Sequence, residues 1–399
     1  MKLRFLFLVI ILTMILITAT MFQFFNLQTN NQTYVGVTFC GNTTQQAFQL
    51  IDKVQNYTNL FILQSGPISK NQTATTQICD YAINADLNLI VYFGWFDTNY
   101  TWQIPWLDTS KQKYGSKLLG IYYYDEPGGI QVDYDWPHYF EYLRYYFENT
   151  SMYQSHTQIL ELFKNGTLPK NYTQASKVYV DLLRTDSGLQ ELKNRKIQTI
   201  TSEYALHWFD YLGGYDIILS QIGLNISSTQ NIALTRGAAK VQEKSWGVMI
   251  TWTYDIPPYL SSGEEIYKEM TDAYKAGAKI ISIFNYPQIE NNQYGILKEE
   301  HFQAIEHFWN NYVLQESELW GSVKAYTALV LPKDYGWGMR STTDRIWYWN
   351  SDEQTQQIWI TMQDLLEEYG LNLDIIYDDP NFPLNNHYQK LFYWNMDTK

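Results

Sequence analysis

Short apolar runs rich in Ile, Val, Leu, Tyr and Phe recur along the chain, each followed by a stretch whose apolar residues are spaced three and four apart. Eight such runs stand out: Tyr34 to Phe39, Leu60 to Gln64, Leu89 to Phe93, Gly120 to Tyr124, Thr199 to Ser202, Ile217 to Gln221, Gly247 to Thr253 and Ile280 to Phe284. Brief runs of β-branched and aromatic residues predict strands, and the longer spaced patterns predict amphipathic helices. Their alternation predicts parallel strands joined by crossover helices, and eight units over about 250 residues fit a (β/α)8 TIM barrel.

Most strand starts lie about 25 to 35 residues apart, whereas about 80 separate the fourth from the fifth, so residues 128–198 are read as an insertion. It holds three helical patterns, Asp135 to Glu148, His156 to Phe163 and Ala175 to Arg195. The last barrel helix is read over His301 to Leu314. Beyond it come a buried-strand run at Ala325 to Leu331, an amphipathic helix at Gln354 to Tyr369, and strands at Leu371 to Tyr377 and Lys390 to Trp394. The chain thus divides into residues 1–29, a barrel over 30–316 and a small α/β module over 317–399, too short to build a large core alone and expected to pack on the barrel.

The first segment changes the picture of where the barrel works. Lys2 and Arg4 precede an uncharged apolar run from Phe5 to about Phe25, long enough for a transmembrane helix of roughly 20 residues. An uncleaved signal anchor with its basic end in the cytoplasm is preferred over a cleaved signal peptide, because no small-x-small cleavage site stands out. Either reading exports the rest, as a single-pass cell-membrane protein with an extracellular body or as a secreted one. Nine N-x-[ST] sequons agree with export: Asn31, Asn42, Asn56, Asn71, Asn99, Asn149, Asn165, Asn171 and Asn225.

With 28 Lys+Arg against 41 Asp+Glu the net charge is −13, and no basic cluster is present to neutralise phosphates, so nucleic acid is excluded as an expected partner. Cys40 and Cys79 form one disulfide candidate, with two buried thiols as the alternative. The six His are scattered without metal-ligand spacing, so neither a metal nor a cofactor is expected. The 34 Tyr, 14 Trp and 19 Phe fill cores for the most part, and some are expected to serve as stacking platforms for sugar rings.

In a barrel of this kind chemistry is placed at the carboxyl ends of the strands. The fourth delivers Asp125-Glu126-Pro127, the fifth Ser202-Glu203-Tyr204, the seventh Trp252-Thr253-Tyr254-Asp255 and the eighth Asn285-Tyr286-Pro287. Carboxylates arriving from several strands suit cleavage of a glycosidic bond, which needs one protonated and one ionised carboxyl group. Glu126 is the expected acid, its proton affinity raised by Asp125 and the neighbouring Tyr rings. Trp95, His207, Trp208, Trp252, Tyr254, Asn285 and Tyr286 are candidate sugar contacts, each with packing as the competing explanation.

Asp125-Glu126-Pro127 resembles the Asn-Glu-Pro with which the fourth strand ends in a large group of TIM-barrel glycoside hydrolases. The resemblance covers about residues 33–315 and implies that Glu126 is the acid/base and that Asp125 contacts a sugar hydroxyl. The C-terminal module looks like the amidotransferase-like, Rossmann-like domain that follows the barrel in some β-galactosidase-type enzymes, but lacks a nucleophilic Cys. Those hydrolases carry a nucleophilic Glu at the end of strand seven, where this chain has Trp252-Thr253-Tyr254-Asp255. Glu203 is narrowly favoured for that role over Asp255. The expected function is glycoside hydrolysis of extracellular or cell-surface oligo- or polysaccharides. The alternative is a non-catalytic glycan-binding or envelope protein on the same barrel. An esterase or peptidase is disfavoured, because no Gly-x-Ser-x-Gly, Cys/His or zinc arrangement is visible.

Overall fold

The computed structural model describes residues 33–149, 169–223, 226–253, 256–286 and 292–395. The apolar segment Phe5 to Phe25 and the expected helix His156 to Phe163 lie outside the described residues. No helix among the described residues is long and apolar enough to cross a membrane.

Eight parallel strands close in sequence order into a barrel: β1 Tyr34–Phe39, β2 Leu60–Leu63, β3 Asn88–Gly94, β4 Leu118–Tyr123, β5 Thr199–Glu203, β6 Ile217–Ile222, β7 Ser245–Ile250 and β8 Ile280–Ile283. β8 returns to pair with β1, so the barrel itself has no open edge. The barrel's inside is filled by one residue in two from successive strands, among them Leu60, Ile62, Ile90, Tyr122, Ile200, Ile217, Leu219 and Met249. The other face of each strand packs against the helix layer, which includes α1 Thr44–Val54, α2 Gln72–Asn84 and α3 Gln103–Tyr114.

The insertion after β4 contributes α4 Pro127–Asp133, α5 Trp136–Asn149, α6 Tyr172–Thr185 and α7 Ser187–Asn194. The single pattern expected over Ala175 to Arg195 is split, because Asp186 leaves the helical conformation and its side chain accepts from the Leu189 N–H to cap α7. Later helices are α8 His207–Gly213, α9 Ser228–Val241, α10 Gly263–Lys275 and α11 Glu299–Phe308.

The C-terminal module is a three-stranded parallel sheet, β9 Thr327–Leu331 at its centre flanked by β10 Leu373–Tyr377 and β11 Lys390–Tyr393, with α12 Glu353–Tyr369 crossing over. Residues 34–399 form one compact unit. The seam between module and barrel runs along α9. There the buried Arg236 pairs with Asp374 at 2.7 Å and donates to the carbonyls of Leu371 and Leu373. A Cβ on Gly237 would come within 2.8 Å of the Ile375 carbonyl oxygen, so only glycine lets α9 and β10 approach this closely.

Candidate active site

Strand parity decides what reaches the barrel mouth. Leu60 and Ile62 point inward, so Gln64 does too; Ile200 sets Ser202 inward, and Leu219 sets Gln221 inward. Together with the hydroxyl of Tyr122 these side chains make a polar layer above the apolar interior. Gln64 Nε2 lies 3.4 Å from the Tyr122 oxygen, which is 2.6 Å from the Ser202 hydroxyl, and Gln221 Nε2 donates to Ser202 Oγ at 3.0 Å.

Asp125 and Glu126 stand on this layer. The Tyr122 hydroxyl donates to Asp125, as does Ser202 Oγ at 3.0 Å. Tyr124 and Glu126 both take left-handed backbone angles (φ 59° and 55°), unfavourable for side-chain-bearing residues and typical of functional turns. The Glu126 N–H is anchored on the Ser202 carbonyl at 3.2 Å, and its own carbonyl accepts the first bond of α4 at 2.9 Å. Pro127 opens that helix, where its missing N–H costs nothing. Gly128 and Gly129 follow it as the second and third residues of α4. The pair lies inside α4, and a Cβ on Gly129 would strike the Tyr204 ring.

Gln221 Nε2 donates to Glu126 Oε1 at 2.5 Å. Burial raises the proton affinity of Glu126, and the charges of Asp125 and Asp133 raise it further against the pull of Gln221. The result is a carboxyl group pushed up to about 7 from an ordinary 4.5. Burial also raises Asp125, opposed by its Tyr122 and Ser202 donors.

A cleft of about 240 Å³ opens beside these groups, lined by Tyr92, Gly94 and Trp95 of the β3 end, by Tyr124 to Pro127, and by Asp186. Its far wall is the insertion: Tyr139, Tyr142 and Leu143 of α5, and Tyr179, Leu182 and Leu183 of α6. Among the carboxylates lining it, Asp186 is engaged elsewhere, accepting from the Tyr124 hydroxyl at 2.9 Å while capping α7.

Glu203, favoured from the sequence as nucleophile, is placed differently. It shares the parity of Thr199 and Thr201, faces the helix layer and is wholly buried. Its carboxylate accepts four backbone N–H groups, from Gly128 (2.6 Å), Gly129 (2.9 Å), Tyr204 (2.8 Å) and Ala205 (3.1 Å). It ties the start of α4 to the β5 loop and does not line the cleft. Asp255 and Tyr254 lie outside the described residues.

The other predicted contacts divide. Trp95 lines the cleft. His207 is buried in α8, bonds the Glu203 carbonyl through Nε2 at 3.2 Å, and is held neutral by burial at about 4. Trp208, also buried, packs on Tyr377 and Phe382 of the module at 5.6 and 5.4 Å, a packing role in place of the expected sugar contact. Asn285 is buried and accepts from the Ile296 N–H at 3.1 Å, which closes the loop after β8. Trp252 and Tyr286 stack on one another at 4.4 Å, with Tyr286 exposed, but do not line the cleft.

Cys40 and Cys79 are both free, which corrects the disulfide expectation. Cys40 continues the inward parity of Gly36 and Thr38 and lies near Asp125, its thiol pushed up to about 12 by burial. Cys79 is on α2, packed against the outer face of the sheet, so the barrel wall separates the two. Sequence reasoning passed over Gln64, Tyr92, Tyr122, Ser202 and Gln221. Counting outward by twos from the inward apolar residues would have found most of them. Among the described residues no cluster of His, Cys, Asp and Glu has the makings of a metal site.

No protein-family model matches the chain, and no curated protein does. Solved structures with a similar barrel include a GH10 endoxylanase from a sugarcane soil metagenome (9% identity, 69% of this chain and 98% of that one, TM-score 0.39). A β-1,3-glucanosyltransferase from Rhizomucor miehei is similar at 11% identity, 67% and 94% coverage and TM-score 0.38. A 3-hexulose-6-phosphate synthase is similar at 11% identity, 68% and 99% coverage and TM-score 0.35. Likenesses this distant carry no argument about chemistry.

Proposed function

We propose that the chain is a glycoside hydrolase acting on extracellular or cell-surface glycans, with Glu126 as the proton donor. The observation that carries this reading is the placement of one strand-end carboxyl group, with a proton affinity raised to about 7, in a cleft walled by aromatic rings. Such a group protonates a leaving oxygen at physiological pH, and the rings of Trp95 and Tyr142 offer the apolar faces that sugars stack on. Asp125, held by Tyr122 and Ser202, is the residue proposed to accept a substrate hydroxyl. The second carboxylate is assigned to Asp255, which follows β7 in the sequence, since Glu203 is committed to backbone N–H groups. Export through the N-terminal apolar segment belongs to the same proposal. Asn42, Asn56, Asn71, Asn99 and Asn171 are all exposed, as glycan acceptors must be.

A second reading has its own support. Among the described residues, the cleft-lining carboxylates Asp125, Glu126 and Asp186 all come from the β4 end or the insertion, and none from the opposite side of the mouth. That arrangement suits a barrel that holds glycans without cutting them. The test is turnover of a panel of aryl glycosides and polysaccharides by the full-length chain, by Glu126→Gln and by Asp255→Asn. Turnover abolished in Glu126→Gln supports the hydrolase. Saturable glycan binding with no turnover by any of the three sinks the hydrolase in favour of the binding protein.

A further inference from the structure

The backbone of Glu126 is continuous with α4, and the far end of α4 is held from outside the barrel. Asp133, its last residue, accepts from the Tyr204 hydroxyl at 2.7 Å and from Arg340 Nη1 at 2.5 Å. Arg340 belongs to the C-terminal module, on the loop between β9 and α12. Its guanidinium is fixed before it reaches Asp133, because Nε and Nη2 each donate at 2.8 Å to the buried carboxylate of Asp344. A guanidinium locked in that bidentate way presents its remaining donors in one direction. It also lies 5.4 Å from the centroid of the Tyr204 ring, the ring that seats on Gly129. The same loop sets Tyr348 against Trp136 at 4.3 Å and against the cleft-wall residue Tyr139 at 5.8 Å.

We propose that Arg340 is a positioning residue for Glu126: the module reaches over the rim, braces α4 through Asp133 and Tyr204, and fixes both the orientation of the acid and the charge it faces. The inference rests on Glu126 being the working acid, but its test does not need a substrate. Isolated exposed ion pairs add little stability. This one matters because of what it is joined to.

The ionisable groups that bear on Glu126 are Asp125, Asp133 and Glu203, with the phenols of Tyr92, Tyr122 and Tyr204. Asp133 raises the proton affinity of Glu126, and Arg340 offsets that charge. On this proposal the two partners of one ion pair pull on Glu126 in opposite senses, Asp133 directly and Arg340 through Asp133.

The experiment compares the full-length wild type with Arg340→Met, Arg340→Lys and Asp133→Asn. Carbodiimide labels protonated carboxyl groups, so labelling of Glu126 across a pH series, read by peptide mass spectrometry with Glu126→Gln as the blank, gives its titration midpoint. The midpoint should rise by about half a pH unit in Arg340→Met, fall by about as much in Asp133→Asn, and stay near wild type in Arg340→Lys, which keeps the charge. Amide exchange across residues 127–133 should quicken in Arg340→Met. Midpoints that move in the same direction in Arg340→Met and Asp133→Asn, or do not move, overturn the proposal, as does unchanged exchange in α4. If Arg340→Met does not fold, Asp133→Asn and Arg340→Lys decide it on the midpoint alone. A chain without glycoside turnover but with opposed midpoints keeps the bracing and loses only the hydrolase.

Discussion

The ends of β4 and β5 each deliver a glutamate to the same rim, and the two glutamates have opposite lives. Glu203 is the last residue of its strand, keeps the outward parity of Thr199 and Thr201, and is met by four backbone N–H groups. Glu126 comes three residues after β4 and shares the inward parity of Tyr122; with left-handed angles at Tyr124 and at Glu126 itself it stands in the mouth, where one amide is its hydrogen-bond donor. An acid at a strand end is therefore structural or chemical according to parity and to the donors that meet it. Burial raises the proton affinity of both, but a carboxyl group met by four N–H groups has no lone pair to spare for a substrate, whereas one with a single donor in the mouth can give its proton away.

The largest effect that would break this contrast is on folding. Glu203→Leu removes the acceptor of four buried N–H groups and should cost about 3–5 kcal/mol, enough to empty much of the folded population. Denaturant titration measures it. A loss below about 1 kcal/mol would mean that the α4 start does not depend on this carboxylate.

Glu126→Gln should leave the fold intact and, under the hydrolase reading, lower turnover by about 10²–10⁴, the usual worth of a general acid. The same variant sharpens the comparison through stability. A carboxyl group whose folded value is raised to about 7 from 4.5 contributes stability that is full below about 4.5 and is lost as pH rises through about 7. Glutamine stays neutral throughout. Unfolding at pH 8 should therefore find Glu126→Gln more stable than wild type by about 1–3 kcal/mol, and the two nearly equal at pH 4. A difference that grows toward low pH would show that Glu126 is stabilised in its ionised form.

Much of the fold was legible, because each strand is a compact β-branched or aromatic run and the interruption between the fourth and fifth is too long for a crossover. The eight expected runs match β1 to β8 to within a few residues, and the C-terminal strands β9 to β11 were readable on the same grounds. Parity was equally available and would have separated Ser202 from Glu203, since Ile200 faces the barrel interior. What could not be read is what comes from distant segments. Trp208 and His207 look like rim residues until Leu206 starts α8 and Tyr377 and Phe382, more than 160 residues later, close over the tryptophan. The aromatic wall of α5 and α6 and the Arg340 brace also depend on contacts across large separations that no local pattern announces.

The smallest effect concerns Gln221, which parity places under Glu126 and which no motif identifies. Its amide donates to Glu126 at 2.5 Å and to Ser202 at 3.0 Å, so it favours the ionised acid and ties it to the layer that holds Asp125. Gln221→Met keeps the volume and removes both donors. The midpoint of Glu126 should then rise above about 7 by about half to one unit, because the one hydrogen bond favouring its charged form is gone while burial and Asp125 remain. Carbodiimide labelling reads that shift directly, and in an active hydrolase the alkaline limb of the pH profile moves up with it. An unchanged midpoint would mean that Gln221 serves Ser202 alone. Glu126 would then be set by desolvation and its acidic neighbours with no opposing donor, and its contrast with the four-donor Glu203 would be complete.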